Sequence, residues 1–484
     1  MKYLYCIWCA LAMTGCSLEC YRVLQSATYK PKRGYFKLFF SWYFALLIVV
    51  EAFSWLWAKF FAVEAIICGV YSLIAIPIAF VRRKSPLKFT KRIVRMLCVN
   101  FLLLFFACVF ALHWWFVFVP FFVLLSWATC LPLDFAINAK YLDAAKKKLR
   151  NSGVTVIAIT GSYGKTSAKE MLRPLLTHSV SPEGSCNTPL GIAKFVNGTD
   201  LSECRYLILE FGARQRGDIS ALCKLYQPHH GIITGICNQH LSTFKSSENI
   251  VREKGQLAKS LPPDGFCVLA DESTRCFSDV GDCVKVYDCV RVSNLHVSVN
   301  GTDFDVCYEG KISHIKLPLI TPHSAETFAA CAALCLKLGE SLEQIAINSK
   351  FIVKCPHRME IQHNGEFFII DDSYNASIAG VQGCCEVLRQ LNCSKVAISQ
   401  GIIECGKQSK QLNEKCGELL GRECDVLIFL GKNVEALRSG AQKSNCKFVL
   451  KAKNLTEAVQ TARKYLRKDS VLLFQNDLPD TVNV

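Results

Sequence analysis

The residues best suited to chemistry in this 484-residue chain follow an apolar segment, in the stretch VIAITGSYGKTSAKEML at 156–172. Gly161 and Gly164 bound a short loop, and Lys165 and Thr166 begin a helical pattern directly after it. A strand, a glycine loop and a helix N-terminus in this order present backbone N–H groups to a polyphosphate. In such a site Lys165 would meet the β- and γ-phosphates, and the Thr166 hydroxyl would bind Mg²⁺.

The spacing of the two glycines leaves an alternative open. They lie three positions apart, whereas the common phosphate-binding pattern GxxxxGK[ST] separates them by five. Taken alone, the stretch is therefore also compatible with a structural glycine turn followed by a lysine that binds no ligand.

Apolar residues are concentrated before residue 133, in runs long enough to cross a membrane, which takes about 20 residues. The runs occupy 3–18, 38–58, 60–81 and 96–133, and the last would form a hairpin of two spans turning near His113. Basic residues follow the first and third of these five candidate spans. By the positive-inside rule, we expect a multi-pass protein of the cytoplasmic membrane whose catalytic domains lie in the cytoplasm.

The charge distribution agrees with this expectation. Up to residue 131 there are 14 Lys and Arg against 3 acidic residues, so most of the net charge of +16 belongs to the apolar region. This pattern predicts membrane lipids as partners and no nucleic acid. The 27 cysteines are interpreted as small buried residues of a reducing compartment, not as metal ligands. The sequence leaves open whether the first apolar run spans the membrane or is cleaved.

Strand-like and helix-like segments alternate after residue 154, which is typical of an α/β fold with a mainly parallel sheet. A less regular stretch at 271–320 favours an antiparallel hairpin, and a second α/β unit begins near 356. We therefore predict an N-terminal helical transmembrane region at 1–136, a central α/β domain at 137–355 and a C-terminal α/β domain at 356–484.

Four separated motifs resemble those of the Mur ligase family, which attaches amino acids or dipeptides to peptidoglycan precursors. They are GSYGKTS at 161–167, CNTPLGIAKFV at 186–196, the stretch 207–257, and HRMEIQHNGEFFIIDDSYNAS at 357–377. The last is similar to the D-alanyl-D-alanine-adding branch. The GSYGKTS motif and the later stretch SQGIIECGKQSKQLNEKCG at 399–417 resemble a membrane-anchored variant of the family that has an N-terminal transmembrane region. The resemblance implies a P-loop central ATP-binding domain and a Rossmann-like C-terminal domain.

The resemblance also implies roles for individual residues. Lys165, His240 and Lys254 would be catalytic, with Lys254 carbamylated, and Asn187 and Thr188 would face the substrate. Two Mg²⁺ ions would be held by Thr166, Glu210, His240 and Lys254. The nucleotide would be bound by Gly161, Ser162, Gly164, Lys165, Thr166, Ser167, Arg358, Asp372 and Asn375.

Three of these assignments have plainer alternatives. Glu210 ends a buried strand, where open α/β sheets bind ligands, but it is also compatible with a surface acid. His240 is compatible with a helix cap, and Lys254 with a solvated lysine beside Glu253. The sequence also departs from the family pattern, with Thr327 in place of an asparagine and Ala270 in place of another.

Together these observations predict an ATP-dependent ligase that activates a carboxylate as an acyl-phosphate and joins it to an amino acid or D-alanyl-D-alanine. The precursor would be a cell-wall or lipid-linked molecule. One alternative is a ligase that makes a poly-γ-glutamate-like polymer. Another is a degenerate nucleotide-binding scaffold for envelope enzymes.

Overall fold

The structure is a computed structural model that forms two compact units, one ending at Lys140 and the other beginning at Tyr141. It describes residues 2–26, 29, 31, 35–36, 45, 47–49, 70, 87–110, 115–236, 244, 246–270, 272–277, 283–285, 289–298, 300–320, 322–354, 359–373, 378–403, 405 and 408–476. The domain limits at 136/137 and 355/356 stay predictions.

The N-terminal region is helical wherever it is described at length. Its helices are α1 (Lys2–Cys16), α2 (Leu18–Ser26), α3 (Lys91–Val109) and α4 (Trp115–Ser152). Helix α4 runs without a break from the apolar run into the basic segment that the sequence suggested as a connector. The predicted spans at 38–58 and 60–81 lie almost entirely outside the described residues.

Within the described residues, three helical segments are long and apolar enough to cross a membrane, judged by length and composition alone. They are Tyr3–Ser26, Lys91–Val109 and Phe118–Ser152. More than half of the most apolar window of Tyr3–Ser26, 56%, is buried inside the protein. Apolar surface on this segment therefore packs against other parts of the chain as well.

The second unit begins with a six-stranded sheet in the order β2-β3-β1-β4-β5-β6, and all of its strand pairs are parallel. The strands are β1 (Thr155–Thr160), β2 (Ser179–Val180), β3 (Tyr206–Glu210), β4 (His230–Ile233), β5 (Cys267–Leu269) and β6 (Cys283–Lys285). Successive residues of β1 enter two different cores, Ile157 and Ile159 on one face and Val156 and Ala158 on the other. Burial on both faces explains why these strands are continuously apolar.

Helices connect the strands of this sheet and continue beyond it. They are α5 (Lys165–Leu175), α6 (Pro189–Gly198), α7 (Asp218–Tyr226), α8 (Ser247–Lys254), α9 (Gln256–Lys259), α10 (Pro322–Lys337) and α11 (Leu342–Ser349). Between α9 and α10 the expected antiparallel region is present as a three-stranded sheet. Its strands are β7 (Arg291–Ser298), β8 (Gly301–Tyr308) and β9 (Lys311–Leu317).

The C-terminal part forms a second six-stranded sheet in the order β10-β11-β15-β12-β13-β14, parallel except for the β10–β11 pair. The strands are β10 (Glu360–His363), β11 (Phe368–Asp372), β12 (Lys395–Gly401), β13 (Val426–Phe429), β14 (Phe448–Lys451) and β15 (Val471–Asn476). The helices are α12 (Ile378–Gln390), α13 (Ser409–Glu423), α14 (Val434–Ala441) and α15 (Leu455–Arg463). The α/β expectation is confirmed for both parts.

A buried asparagine holds the turn that follows β12. The Asn413 side chain accepts a hydrogen bond from the Ile402 N–H at 2.8 Å and donates to the Ile402 carbonyl at 2.9 Å. It also donates to the Ser409 carbonyl within its own helix at 2.8 Å. One amide thus satisfies backbone groups that would otherwise be buried without a partner.

We expect Asn413→Ala to lower the apparent melting temperature of the full chain by about 5 °C. An unsatisfied buried group costs about 1–3 kcal/mol, and that cost corresponds to a shift of this order. Gln411→Ala, at an exposed position of the same helix, is the matched control. Scanning calorimetry of both variants measures the effect, and equal melting temperatures would contradict this account of the turn.

Candidate active site

The loop between β1 and α5 is built for close approach of backbone to backbone. A Cβ at Gly161 would lie 2.0 Å from the Thr234 hydroxyl oxygen, so any side chain there would force Thr234 or the loop to shift. Gly164, which caps α5, has φ 77°, in the left-handed region that favours glycine. The Ser162 N–H donates to the Gly235 carbonyl at 2.6 Å. These contacts fix the loop above the N-terminus of α5, where backbone N–H groups favour an anion.

The side chain of Lys165 folds over this loop. Its ammonium donates to the Gly161 carbonyl at 2.9 Å and to the Ser162 carbonyl at 3.2 Å. The Lys165 ammonium therefore lies over the loop that precedes α5, beside the helix end that favours an anion. Phosphate oxygens carry negative charge, so the ammonium would be attracted to them by charge as well as by hydrogen bonding.

Three residues that the sequence proposed separately meet at the end of β3. The Glu210 carboxylate accepts a hydrogen bond from the Thr166 hydroxyl at 2.9 Å and another from the Asn187 amide at 3.2 Å. Glu210 is 2% exposed and Thr166 is 7% exposed. The alternative of a surface acid is therefore wrong for Glu210.

Lys254 is buried at the end of α8, which excludes the alternative of a solvated lysine. Burial lowers the pKa of its ammonium to about 7, and the positive charge of Lys165 lowers it further. Glu253 and Glu210 oppose this shift of the pKa. The amine of Lys254 is therefore partly neutral near pH 7, unlike an ordinary lysine.

Glu253, the neighbour of Lys254, has a separate structural task. Its carboxylate accepts from the backbone N–H groups of Gly217 at 2.8 Å and Ile219 at 2.7 Å. These groups lie at the N-terminus of α7, where a negative charge is stabilising. The carboxylate therefore anchors α8 to α7.

The remaining predicted residues are placed in different ways. The Thr188 hydroxyl caps α6 by accepting from the Gly191 N–H at 3.3 Å. Asp372 ends β11 in the second sheet and accepts from the Cys384 thiol at 3.2 Å. Ser167 lies in the first turn of α5. The predicted ligands His240, Arg358 and Asn375 lie outside the described residues.

Sequence reasoning missed two residues around the glycine loop, Thr234 and Tyr163. Thr234 places its hydroxyl within hydrogen-bonding distance of the Thr160 carbonyl, at 3.2 Å, and also of the Tyr163 carbonyl. The Tyr163 ring lies 6.3 Å from the His323 ring, measured between centroids. No spacing rule reveals such contacts, because they join segments distant in sequence.

Comparison with known proteins agrees with this geometry. The profile of the Mur ligase middle domain matches residues 159–335, and that of the Mur ligase glutamate ligase domain matches residues 357–475. Together these two ranges make up more than half of the chain. The chain belongs to the Mur ligase family.

Relatives and solved structures are similar to this chain over the same region. The UDP-N-acetylmuramoyl-tripeptide–D-alanyl-D-alanine ligase of Mycobacterium tuberculosis is 28% identical over 336 residues, which are 63% of this chain and 64% of that enzyme. MurF from Acinetobacter baumannii superimposes with a TM-score of 0.65 at 24% identity, covering 71% of this chain and 78% of that one. MurF from Thermotoga maritima, solved in complex with ADP, gives a TM-score of 0.63 at 23% identity and covers 71% and 81%.

The comparisons correct two of the expectations from the sequence. The expected multi-pass location in the cytoplasmic membrane is contradicted, because the relative acts on a UDP-linked precursor, which is water-soluble, and the apolar helices are candidate spans by composition only. The expected lipid-linked substrate and membrane-lipid partners have no support for the same reason. A carbamylated lysine is not shown. The chain spans 64% of the length of this Mycobacterium relative.

We expect the stability of the protein to depend on pH through Lys254. Its pKa is about 7 in the folded protein, against 10.5 for an ordinary lysine, which is the value expected in the unfolded chain. Between these two pH values the unfolded chain therefore binds more protons than the folded protein. The free energy of unfolding should therefore rise with pH from about 7 to about 10, by at most about 1.4 kcal/mol per pH unit, and Lys254→Met should lose this rise. Urea titration at several pH values measures it.

Lys259→Met, at an exposed position of α9, serves as the control and should retain the pH dependence. Parallel curves for the native protein and Lys254→Met would show that Lys254 stays charged throughout this range.

Proposed function

We propose that this protein is an ATP-dependent peptide ligase that joins D-alanyl-D-alanine or an amino acid to the carboxylate of a UDP-linked muramoyl peptide. The observation that carries this proposal is the buried Glu210 carboxylate, bonded to Thr166 at 2.9 Å and to Asn187 at 3.2 Å beside a glycine loop. The names of the relatives support the substrate class.

The reaction has two steps. A carboxylate oxygen of the precursor attacks the γ-phosphorus of ATP, the bond to ADP breaks, and an acyl-phosphate forms. The amine of the second substrate then attacks the acyl carbon, phosphate leaves, and the amine loses a proton. Both steps gather negative charge, so the site must supply positive charge and donors in fixed positions.

Lys165 is suited to the first step because its ammonium lies over the loop at the N-terminus of α5. Asn187 lies in the segment before α6 and has its amide directed to Glu210, and this position beside the end of β3 suits contact with the precursor or its activated carboxyl group. Asp372 ends a strand of the second sheet, where a carboxylate would accept hydrogen bonds from the ribose hydroxyls of the nucleotide.

The oxygen donors of the site fit Mg²⁺. The Thr166 hydroxyl and the Glu210 carboxylate are hard ligands, and Mg²⁺ in phosphoryl-transfer sites is bound by one or two such protein groups together with substrate phosphates. The ion would offset the charge of the transferred phosphoryl group. Its ligands in this chain would be Thr166 and Glu210, with His240 as a predicted third.

Modification of Lys254 is a further part of the proposal. Its buried amine has a pKa of about 7, so a neutral nitrogen is present that can attack CO₂. The nitrogen forms a bond to carbon, loses a proton, and becomes a carbamate anion. This exchange would turn a positive charge near Glu210 and Lys165 into a negative one that can bind a cation.

We expect Thr166→Val to lower kcat for phosphate release by about 10- to 100-fold, as loss of a group in a metal site commonly does. The substitution keeps the shape of the side chain and removes the hydroxyl that contacts Glu210. The assay measures phosphate release from ATP with UDP-linked muramoyl tripeptide and D-alanyl-D-alanine, each omitted in turn.

Thr177→Val is the matched control, because Thr177 is exposed and lies just beyond α5. It should keep full activity. Phosphate release by the native protein that is independent of both substrates would contradict the ligase, and tight ATP binding without any release would favour a scaffold.

We expect the protein equilibrated with ¹³C-labelled bicarbonate to show one carbamate resonance in its ¹³C NMR spectrum, and Lys254→Met to lack it. Lys259→Met should retain the resonance. A spectrum of the native protein without this signal, at a pH above 7, would remove the modification from the proposal and leave the ligase itself untouched.

A further inference from the structure

A second lysine of helix α5 is buried more completely than Lys165. Lys169 is 0% exposed, and its ammonium donates to the Gly184 carbonyl at 2.6 Å and to the Pro182 carbonyl. It also forms an ion pair with the Glu170 carboxylate, with 2.8 Å between the nitrogen and oxygen. The proposed reaction leaves this residue without a role.

The ammonium of Lys169 has its hydrogen-bonding capacity filled. A lysine ammonium has three N–H donors, and here three acceptors surround it. A buried charge is costly unless it is paired and hydrogen-bonded in this way. Because two of the acceptors are backbone carbonyls of one short segment, the lysine fixes that segment and does more than fill space.

The segment held by Lys169 leads directly to the site. It has no regular secondary structure between β2 and α6, and Gly184 within it has φ 59°. Three residues later, Asn187 donates its amide to Glu210 at 3.2 Å, while its carbonyl accepts from the Gly212 N–H at 3.3 Å. The place of Asn187 therefore depends on where this segment is held.

Helix α5 links the contacts of Lys169 to the glycine loop between β1 and α5. Thr166 and Lys169 are three residues apart on α5, so they lie on neighbouring turns of one rigid element. Thr166 contacts one oxygen of the Glu210 carboxylate, and Asn187 contacts the other. Lys169 thus closes a ring of contacts that runs from α5 through the segment to Glu210 and back.

We propose that Lys169 is a positioning residue of the ligase site: it clamps the segment 182–187 to α5 and so places Asn187 against Glu210. This inference rests on the proposed function for its effect on catalysis. Lys169 acts through Asn187, so its loss should alter the same step that the loss of Asn187 alters.

A double-mutant cycle tests this coupling. Lys169→Met should lower kcat about tenfold or more, as loss of a group that orients a ligand commonly does, while the Kd for ATP changes little because Lys165 and the loop remain. Asn187→Ala should lower kcat comparably. In the Asn187→Ala background, Lys169→Met should then cost little more.

The conservative variant Lys169→Arg should recover part of the activity, because a guanidinium keeps the charge and can donate to both carbonyls. Lys194→Met, at an exposed position of α6, is the control and should behave as the native protein. Multiplying losses in the double variant, or equal activity of Lys169→Met and the control, would overturn the proposal.

Hydrogen exchange tests whether Lys169 clamps the segment, independently of the ligase activity. In the absence of substrates, amides of 183–187 should exchange faster in Lys169→Met than in the native protein, whereas amides of α5 should keep their protection. This readout needs no catalysis, so it tests the clamp even if the native protein releases no phosphate. Unchanged exchange in 183–187 would show that Lys169 does not hold the segment.

Discussion

Two hydrogen bonds converge on the carboxylate of Glu210, one from the Thr166 hydroxyl and one from the Asn187 amide. The carboxylate is buried at the end of β3, a strand paired with neighbours on both sides. An ionised carboxylate at this position must be satisfied by donors, since a buried charge without partners is costly. The N-terminus of α5 and the segment before α6 are therefore both constrained to meet it.

Charge at the site is divided between groups held by different elements. Lys165 and Lys254 come from α5 and α8, and each influences the other, because the charge of the first lowers the pKa of the second. The Glu253 charge opposes this lowering of the Lys254 pKa, while its oxygens bind the N-terminus of α7. A site with one half-buried ammonium, that of Lys165, and one buried amine of lowered pKa, that of Lys254, can change its net charge near neutral pH.

Local patterns predicted most of the fold. The apolar strands of both sheets, the helix after the glycine loop and the antiparallel region were all indicated by periodicity and turn residues. The strands β2 and β10 were missed, because β2 has only two residues and β10, with the sequence EIQH, has a single aliphatic residue. The long helix α4 crosses a change from apolar to basic composition, which suggested a boundary that the backbone does not show.

The site was predicted in part for the same reason. Lys165, Thr166 and Glu210 belong to motifs that are continuous in sequence, and the structure brings Thr166 and Glu210 together as expected. Lys169 was not predicted from the sequence, because its contacts are with two backbone carbonyls about fifteen residues away. Every residue has a backbone carbonyl, so no residue type marks these acceptors. The predicted membrane location was wrong because composition shows which residues are apolar but does not show whether lipid or other parts of the chain cover them.

The close approach of Gly161 to Thr234 constrains how the sequence can vary. The threonine oxygen occupies the space that a side chain at position 161 would need, since the two would be 2.0 Å apart. The hydroxyl of the same threonine is a tether, because it lies within hydrogen-bonding distance of the Thr160 carbonyl at the end of β1 and of the Tyr163 carbonyl in the loop. Among related sequences these two positions should consequently covary: an alanine at the first requires a smaller residue at the second, and the tether is lost with it.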